Sequence, residues 1–69
     1  MKDIFSYLID VCGQVDENEL NANSPLYIYK IPMDMTVTRL AIHTDQSGLI
    51  GLMRHLHGRG FVILSVSRQ

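Results

Sequence analysis

TVTRLAIHTDQSGLIGLMRHLHGRGFVILSV, residues 36–66, carries the most legible structure in the chain. Asp45 or Ser47 is placed to cap a helix, accepting hydrogen bonds from the free amides of its first turn. Leu49, Leu52, Met53 and Leu56 then recur at the three-and-four spacing of one helical face. Gly58 and Gly60 flank Arg59 and end that helix. Upstream, residues 36–44 alternate as a strand, with Leu40 and Ile42 on one face and Arg39, Ala41 and His43 on the other. Downstream, Phe61 to Val66 is apolar on both faces, as in a buried or parallel strand. Strand, helix and strand over ~30 residues predict a β-α-β crossover, with the last strand lying parallel to the first.

Working outward, residues 26–33 (LYIYKIPM) alternate Leu26, Ile28 and Lys30 with Tyr27, Tyr29 and Ile31, another strand signal. Pro32 cannot donate to a central ladder and marks an end or an edge. The short Met33-Asp34-Met35 link predicts an antiparallel hairpin with the strand that follows. Residues 14–25 (QVDENELNANSP) form a polar loop with room for one helical turn over Asp16–Leu20. Residues 3–12 place Ile4, Leu8 and Val11, beside Phe5 and Cys12, at helical spacing, and Gly13 sits where a left-handed cap ends a helix. The expected order is α-β-β-α-β. The expected fold is a small α/β (α+β) sandwich, its three-stranded mixed sheet carrying both helices on one face.

The chain has 69 residues, 46% apolar and 19% charged, so residues 1–69 make one domain with no room for a second. A fold of this size buries only about 60% of the surface its unfolded chain exposes, which favours a partner, a metal or a second copy as support. The single cysteine, Cys12, excludes an internal disulfide and falls in the apolar stripe of the first predicted helix, as a small core residue. Unbroken apolar runs reach only four residues, as in Phe61–Leu64, so no transmembrane helix is expected. Asp3 and Asp10 interrupt what would be the apolar core of a signal peptide, and a cytoplasmic location is the expectation.

The net charge of −1 conceals an asymmetry. Residues 1–35 set Lys2 and Lys30 against six carboxylates, giving −4; residues 36–69 set four arginines against Asp45, giving +3. The halves can pair within a chain or across a dimer, or the basic half can meet an anionic partner.

The segment from Val37 to Val66 resembles the first β-α-β unit of an ACT domain, a regulatory small-molecule-binding module. The matching positions are Asp45, Gly48, Leu49, Leu52, Leu56, Gly60, Val62 and Ile63. The resemblance implies binding of a small molecule such as an amino acid at the strand-to-helix turn, on Asp45, Ser47 and Gly48. Ser47 stands where the family usually has proline. The family's second strand-helix-strand half should follow this unit, whereas the chain ends at Gln69. The preceding helix and strand would replace part of it in permuted order and leave the sheet one strand short.

Other constellations are less specific. Arg54, His57 and Arg59 form a basic helix end that complements the macrodipole, or an anion patch for phosphate or an acidic partner. His55 and His57 project about 200° apart on a helix, so they cannot share a metal ion, and no zinc site is expected. Gly48 and Gly51, three apart at the helix start, would let it lie close to the sheet or approach an anion. Tyr27 and Tyr29 could stack on bases, but a negative net charge with six Lys and Arg argues against nucleic-acid binding. No nucleophile elbow or phosphate-binding glycine loop is present, so neither catalysis nor a cofactor is expected.

One layer of helices leaves the sheet face bearing Tyr27, Tyr29, Ile31 and Ala41 without cover from the chain. The sequence thus points to a non-enzymatic regulatory or protein-interaction module, self-associating as a homodimer or meeting another protein. An ACT-like sensor is the first alternative and a nucleic-acid accessory protein the second.

Overall fold

The computed structural model describes residues 4–22, 24 and 26–69. Six elements follow in the order β1 (Phe5–Cys12), α1 (Glu17–Asn21), β2 (Tyr29–Pro32), β3 (Val37–Thr44), α2 (Gln46–Gly58) and β4 (Ile63–Arg68). They build one four-stranded sheet in the spatial order β2-β3-β1-β4, with every neighbouring pair antiparallel. The β-α-β-β-α-β order is the split β-α-β plan. It replaces the expected α-β-β-α-β order and three-stranded mixed sheet.

The correction originates in the first twelve residues. The helix expected over residues 3–12 is strand β1 from Phe5 onward; Asp3 lies outside the described residues. Tyr7, Ile9 and Val11 point into the core, while Ser6, Leu8, Asp10 and Cys12 alternate to the other face. Ile4, Leu8 and Val11 fall at helical spacing only because Leu8 adds an apolar residue to the outer face. Cys12 is therefore exposed rather than a core residue. Gly13 does adopt a left-handed backbone, with φ +87°, but it ends a strand. Its N–H donates to the Thr36 carbonyl at 2.6 Å, and its own carbonyl accepts the buried Thr38 hydroxyl at 2.8 Å.

As a central strand, β1 also changes the crossover. β3 and β4 both run antiparallel to β1, so they share a direction, but β1 lies between them. The expected adjacent parallel pair does not form. β4 is an edge strand with most of its residues exposed, not the buried strand its two apolar faces suggested. A bulge between its pairings with Asp10 and Val11 leaves Leu64 unmatched.

The hairpin of β2 and β3 is antiparallel, with β2 limited to four residues. Its turn is organised by Asp34, whose Oδ1 accepts from the Thr36 N–H, the Thr36 hydroxyl and the Val37 N–H at 2.7–2.8 Å. The polar segment 14–25, of which Asn23 and Pro25 lie outside the described residues, contains the short α1. Asp16 caps it by accepting from the Asn18 and Glu19 amides. The Asn21 side chain then grips the Ile28 backbone from both sides, accepting its N–H at 2.8 Å and donating to its carbonyl at 3.1 Å. That clasp holds Ile28 fully buried although it lies outside any strand.

Both helices feed one core. Leu52 and Leu56 of α2 and Leu20 of α1 are fully buried with Ile9, Val11 and Leu40 of the sheet. Each such side chain contributes about 1.5–3 kcal/mol relative to leaving it in water. Leu49 and Met53 of the predicted stripe are only partly buried. Asp45 caps α2 through the Gly48 N–H at 2.8 Å, and Gly60, at φ +88°, carries the chain out of it. Of the paired glycines, only Gly48 permits a close approach: a Cβ there would collide with the Thr44 side chain, whereas Gly51 faces open space.

Candidate functional site

Because both helices pack on one side, the opposite side of the sheet is open. Two rows of cross-strand partners run across all four strands. One is Tyr29, Ala41, Leu8 and Ser67; the other is Ile31, Arg39, Asp10 and Ser65. Of the four residues expected on this face, Tyr27, Tyr29, Ile31 and Ala41, the register places the last three on it. Tyr27, outside β2, packs edge-to-face on Tyr29 with ring centroids 4.7 Å apart. Tyr29 is 53% exposed and Ile31 41%, large values for apolar side chains on neighbouring rows.

The charges on this face neutralise each other. Arg39 Nε donates to Asp10 Oδ1 at 2.8 Å and Nη2 to Oδ2 at 3.2 Å, while the Ser65 hydroxyl donates to Oδ2 at 3.1 Å. The Arg39 hydrogen bonds, with help from Ser65, hold the Asp10 carboxyl below its usual range despite some desolvation. The carboxylate in turn raises the Arg39 pKa. At the border, the Ser6 hydroxyl and His43 Nδ1 are 3.0 Å apart.

Asp10, Arg39, Ser65 and Leu8 were not singled out from sequence. Reading residues 3–12 as a helix removed Asp10 and Leu8 from the sheet. The available signal was the alternation of Tyr7, Ile9 and Val11 with Ser6 and Asp10.

The other predicted residues fall in two further places. Asp45, Ser47 and Gly48 line an open cleft of about 590 Å³ at the start of α2, together with Thr44, His43 and Leu26. Of Arg54, His57 and Arg59, the first two line one groove and the third pairs with a carboxylate. Arg54 and His57 border an apolar groove of about 370 Å³ between α2 and β4, lined by Ile50, Met53 and Ile63. Arg59 turns away, its guanidinium 3.7 Å from Glu19. The Asp10–Arg39 and Glu19–Arg59 pairs both join the acidic half of the sequence to the basic half within one chain. His55 is partly buried, and its Nε2 has no hydrogen-bond partner. Among the described residues no three His, Cys, Asp or Glu side chains converge as a metal site, and no helix is long and apolar enough to cross a membrane.

The chain matches no protein-family model, and neither the curated proteins nor the solved structures contain a significant match to it.

Proposed function

We propose that this chain is a non-enzymatic interaction module that self-associates through the open face of its sheet. The observation that carries the reading is the pair of rows crossing that face, with exposed Tyr29 and Ile31 around an ion pair satisfied within the chain. A half-apolar surface without net charge suits a second copy of itself, since a two-fold contact sets the same patch against itself and an uncompensated charge there would face its own sign. Strands ~4.8 Å apart and residues rising ~3.4 Å each, over strands of 8, 4, 8 and 6 residues, give roughly 420 Å² of flat face per copy. A face-to-face pair therefore buries about 850 Å², below the ~1,200 Å² of small stable complexes, which implies a weak, reversible dimer.

Sedimentation equilibrium from 1 to 100 μM tests this. A dimer that Ile31→Glu converts to a folded monomer supports it. A wild-type chain that stays monomeric throughout overturns it.

The second reading, an ACT-like sensor of a small molecule, is favoured by the cleft on Asp45, Ser47 and Gly48. Further support is that a strand-helix-strand unit, β1-α1-β2, precedes the β3-α2-β4 unit. A thermal-shift screen of amino acids against wild type and Ser47→Lys separates the readings. A stabilising amino acid whose effect the variant loses favours the sensor; none across the panel removes it.

A further inference from the structure

The two edges of the sheet are not alike. β2 is four residues long and ends in Pro32, which has no N–H to offer a neighbour. β4 has six residues with no proline, lysine or carboxylate among them. Edge strands usually carry such residues to discourage pairing. Among the described residues, β4 pairs only with β1. Val62 accepts from the Cys12 N–H at 2.9 Å and the Gln69 N–H donates to Ser6 at 2.9 Å, so both ends of β4 are tied inward. Alternation then turns the backbone N–H and C=O of Val66 and Arg68 outward, where they can bond to an extended chain.

The groove between α2 and β4 lies beside this edge, on the helix side of the sheet. Its walls are Ile50, 47% exposed, with Met53 and Ile63. Val66 opposes Ile9, so its side chain is also on the helix side. A strand laid along β4 would set the residue facing Val66 on that same side, above the groove.

Charge identifies the occupant. Residues 46–69 contain no Asp or Glu. Arg59 is engaged by Glu19, and Arg68 stacks over the Phe5 ring at 4.6 Å. Arg54 and His57, on the groove rim, take part in no ion pair among the described residues. A second copy of β4 would bring another segment without a carboxylate, residues 46–69, to this edge. We propose that the free edge of β4 accepts an extended acidic segment of another protein as a fifth strand, its apolar residues over Ile50, Met53 and Ile63 and a carboxylate on Arg54. This surface is separate from the open face, and its test does not depend on dimerisation.

The test is fluorescence anisotropy at low salt with a fluorescein-labelled octapeptide, Val-Thr-Glu-Thr-Val-Thr-Glu-Thr, which sets valine and glutamate on one face of an extended strand, and its lysine-for-glutamate counterpart. Saturable binding of the glutamate peptide alone is expected. Arg54→Glu, on the exposed side of α2, should weaken that peptide by about tenfold and admit the lysine peptide. Val66→Pro removes an outward N–H and should abolish binding while leaving the β1 ladder, checked by circular dichroism. Absence of binding, equal binding of both peptides, or binding unchanged in Arg54→Glu overturns the proposal. So does a dimer that dissociates in Val66→Pro, since the edge would then be occupied by a second copy.

Discussion

Asp10 and Arg39 are direct cross-strand partners on β1 and β3, and the guanidinium meets the carboxylate in two hydrogen bonds at 2.8 and 3.2 Å. The pair places an otherwise costly charge in the middle of an apolar face and cancels it there. It also fixes register, since a one-residue slip would carry Asp10 to the core side and Ile9 to the open side.

The pair makes stability depend on pH in a definite direction. The carboxyl of Asp10 is held low by Arg39 first and Ser65 next, and that of Asp34 by the Thr36 hydroxyl and then the Thr36 and Val37 amides. A carboxylate whose folded pKa is depressed contributes stability that is complete above its unfolded value near ~3.9 and is lost as pH falls through the folded value. Asp10→Asn should therefore lower Tm by a few degrees at pH 7, and the gap from wild type should narrow as pH falls below the unfolded value near ~3.9. Thermal melts followed by circular dichroism across that range measure it; a gap independent of pH would contradict the assignment.

The two glycines of α2 should respond oppositely to alanine. Gly48→Ala drives a methyl into the Thr44 side chain and should cost about 1–3 kcal/mol, the usual effect of overpacking. Gly51→Ala meets open space and should gain about 0.5–1 kcal/mol from helix propensity. Urea unfolding of both variants tests the contrast, and Thr44→Ala should relieve much of the Gly48→Ala loss.

Cys12 offers a direct check on the β1 assignment. Exposed on the strand's outer side, it should react fully with a thiol-specific reagent in native buffer. A thiol that reacts only in denaturant would instead support the buried helical position expected from the sequence.

Core and face residues should separate stability from association. Leu52→Ala removes a fully buried side chain and should cost about 2–5 kcal/mol, a large share of what a domain this small can hold. Ile31→Ala, on the open face, should leave monomer stability within about 0.5 kcal/mol and weaken the dimer. Sedimentation and urea melts on the same samples read both quantities.

The second half of the sequence was legible because its signals agree. Asp45 as a cap, Leu52 and Leu56 in one stripe and Gly60 at the exit all point to one helix, and the strand before it follows the same period-two alternation the structure has. The first half was not, because Phe5–Cys12 has apolar residues on both faces and short apolar runs fit a helix or a strand by periodicity alone. Its strand identity depends on partners far away in sequence, such as Arg39 and Val66. For the same reason, β4 was placed beside β3 rather than β1. The open-face residues Tyr29, Ile31 and Ala41 could still be grouped, because the hairpin that carries them is local. The pairing of Arg59 with Glu19 was not legible, because Glu19 lies on the short α1, whose position against the α2 end sequence does not specify.

The central position of β1 has a consequence for how the chain reaches its fold. β1 is satisfied on one side by Val37–Thr44 and on the other by Ile63–Arg68, both far later in the sequence. Its ladders close long loops, so the chain meets its entropic cost before the contacts that offset it form, and folding should be slow for so small a domain. During synthesis, Tyr7, Ile9 and Val11 leave the ribosome before either of the strands that pair with them, Val37–Thr44 and Ile63–Arg68.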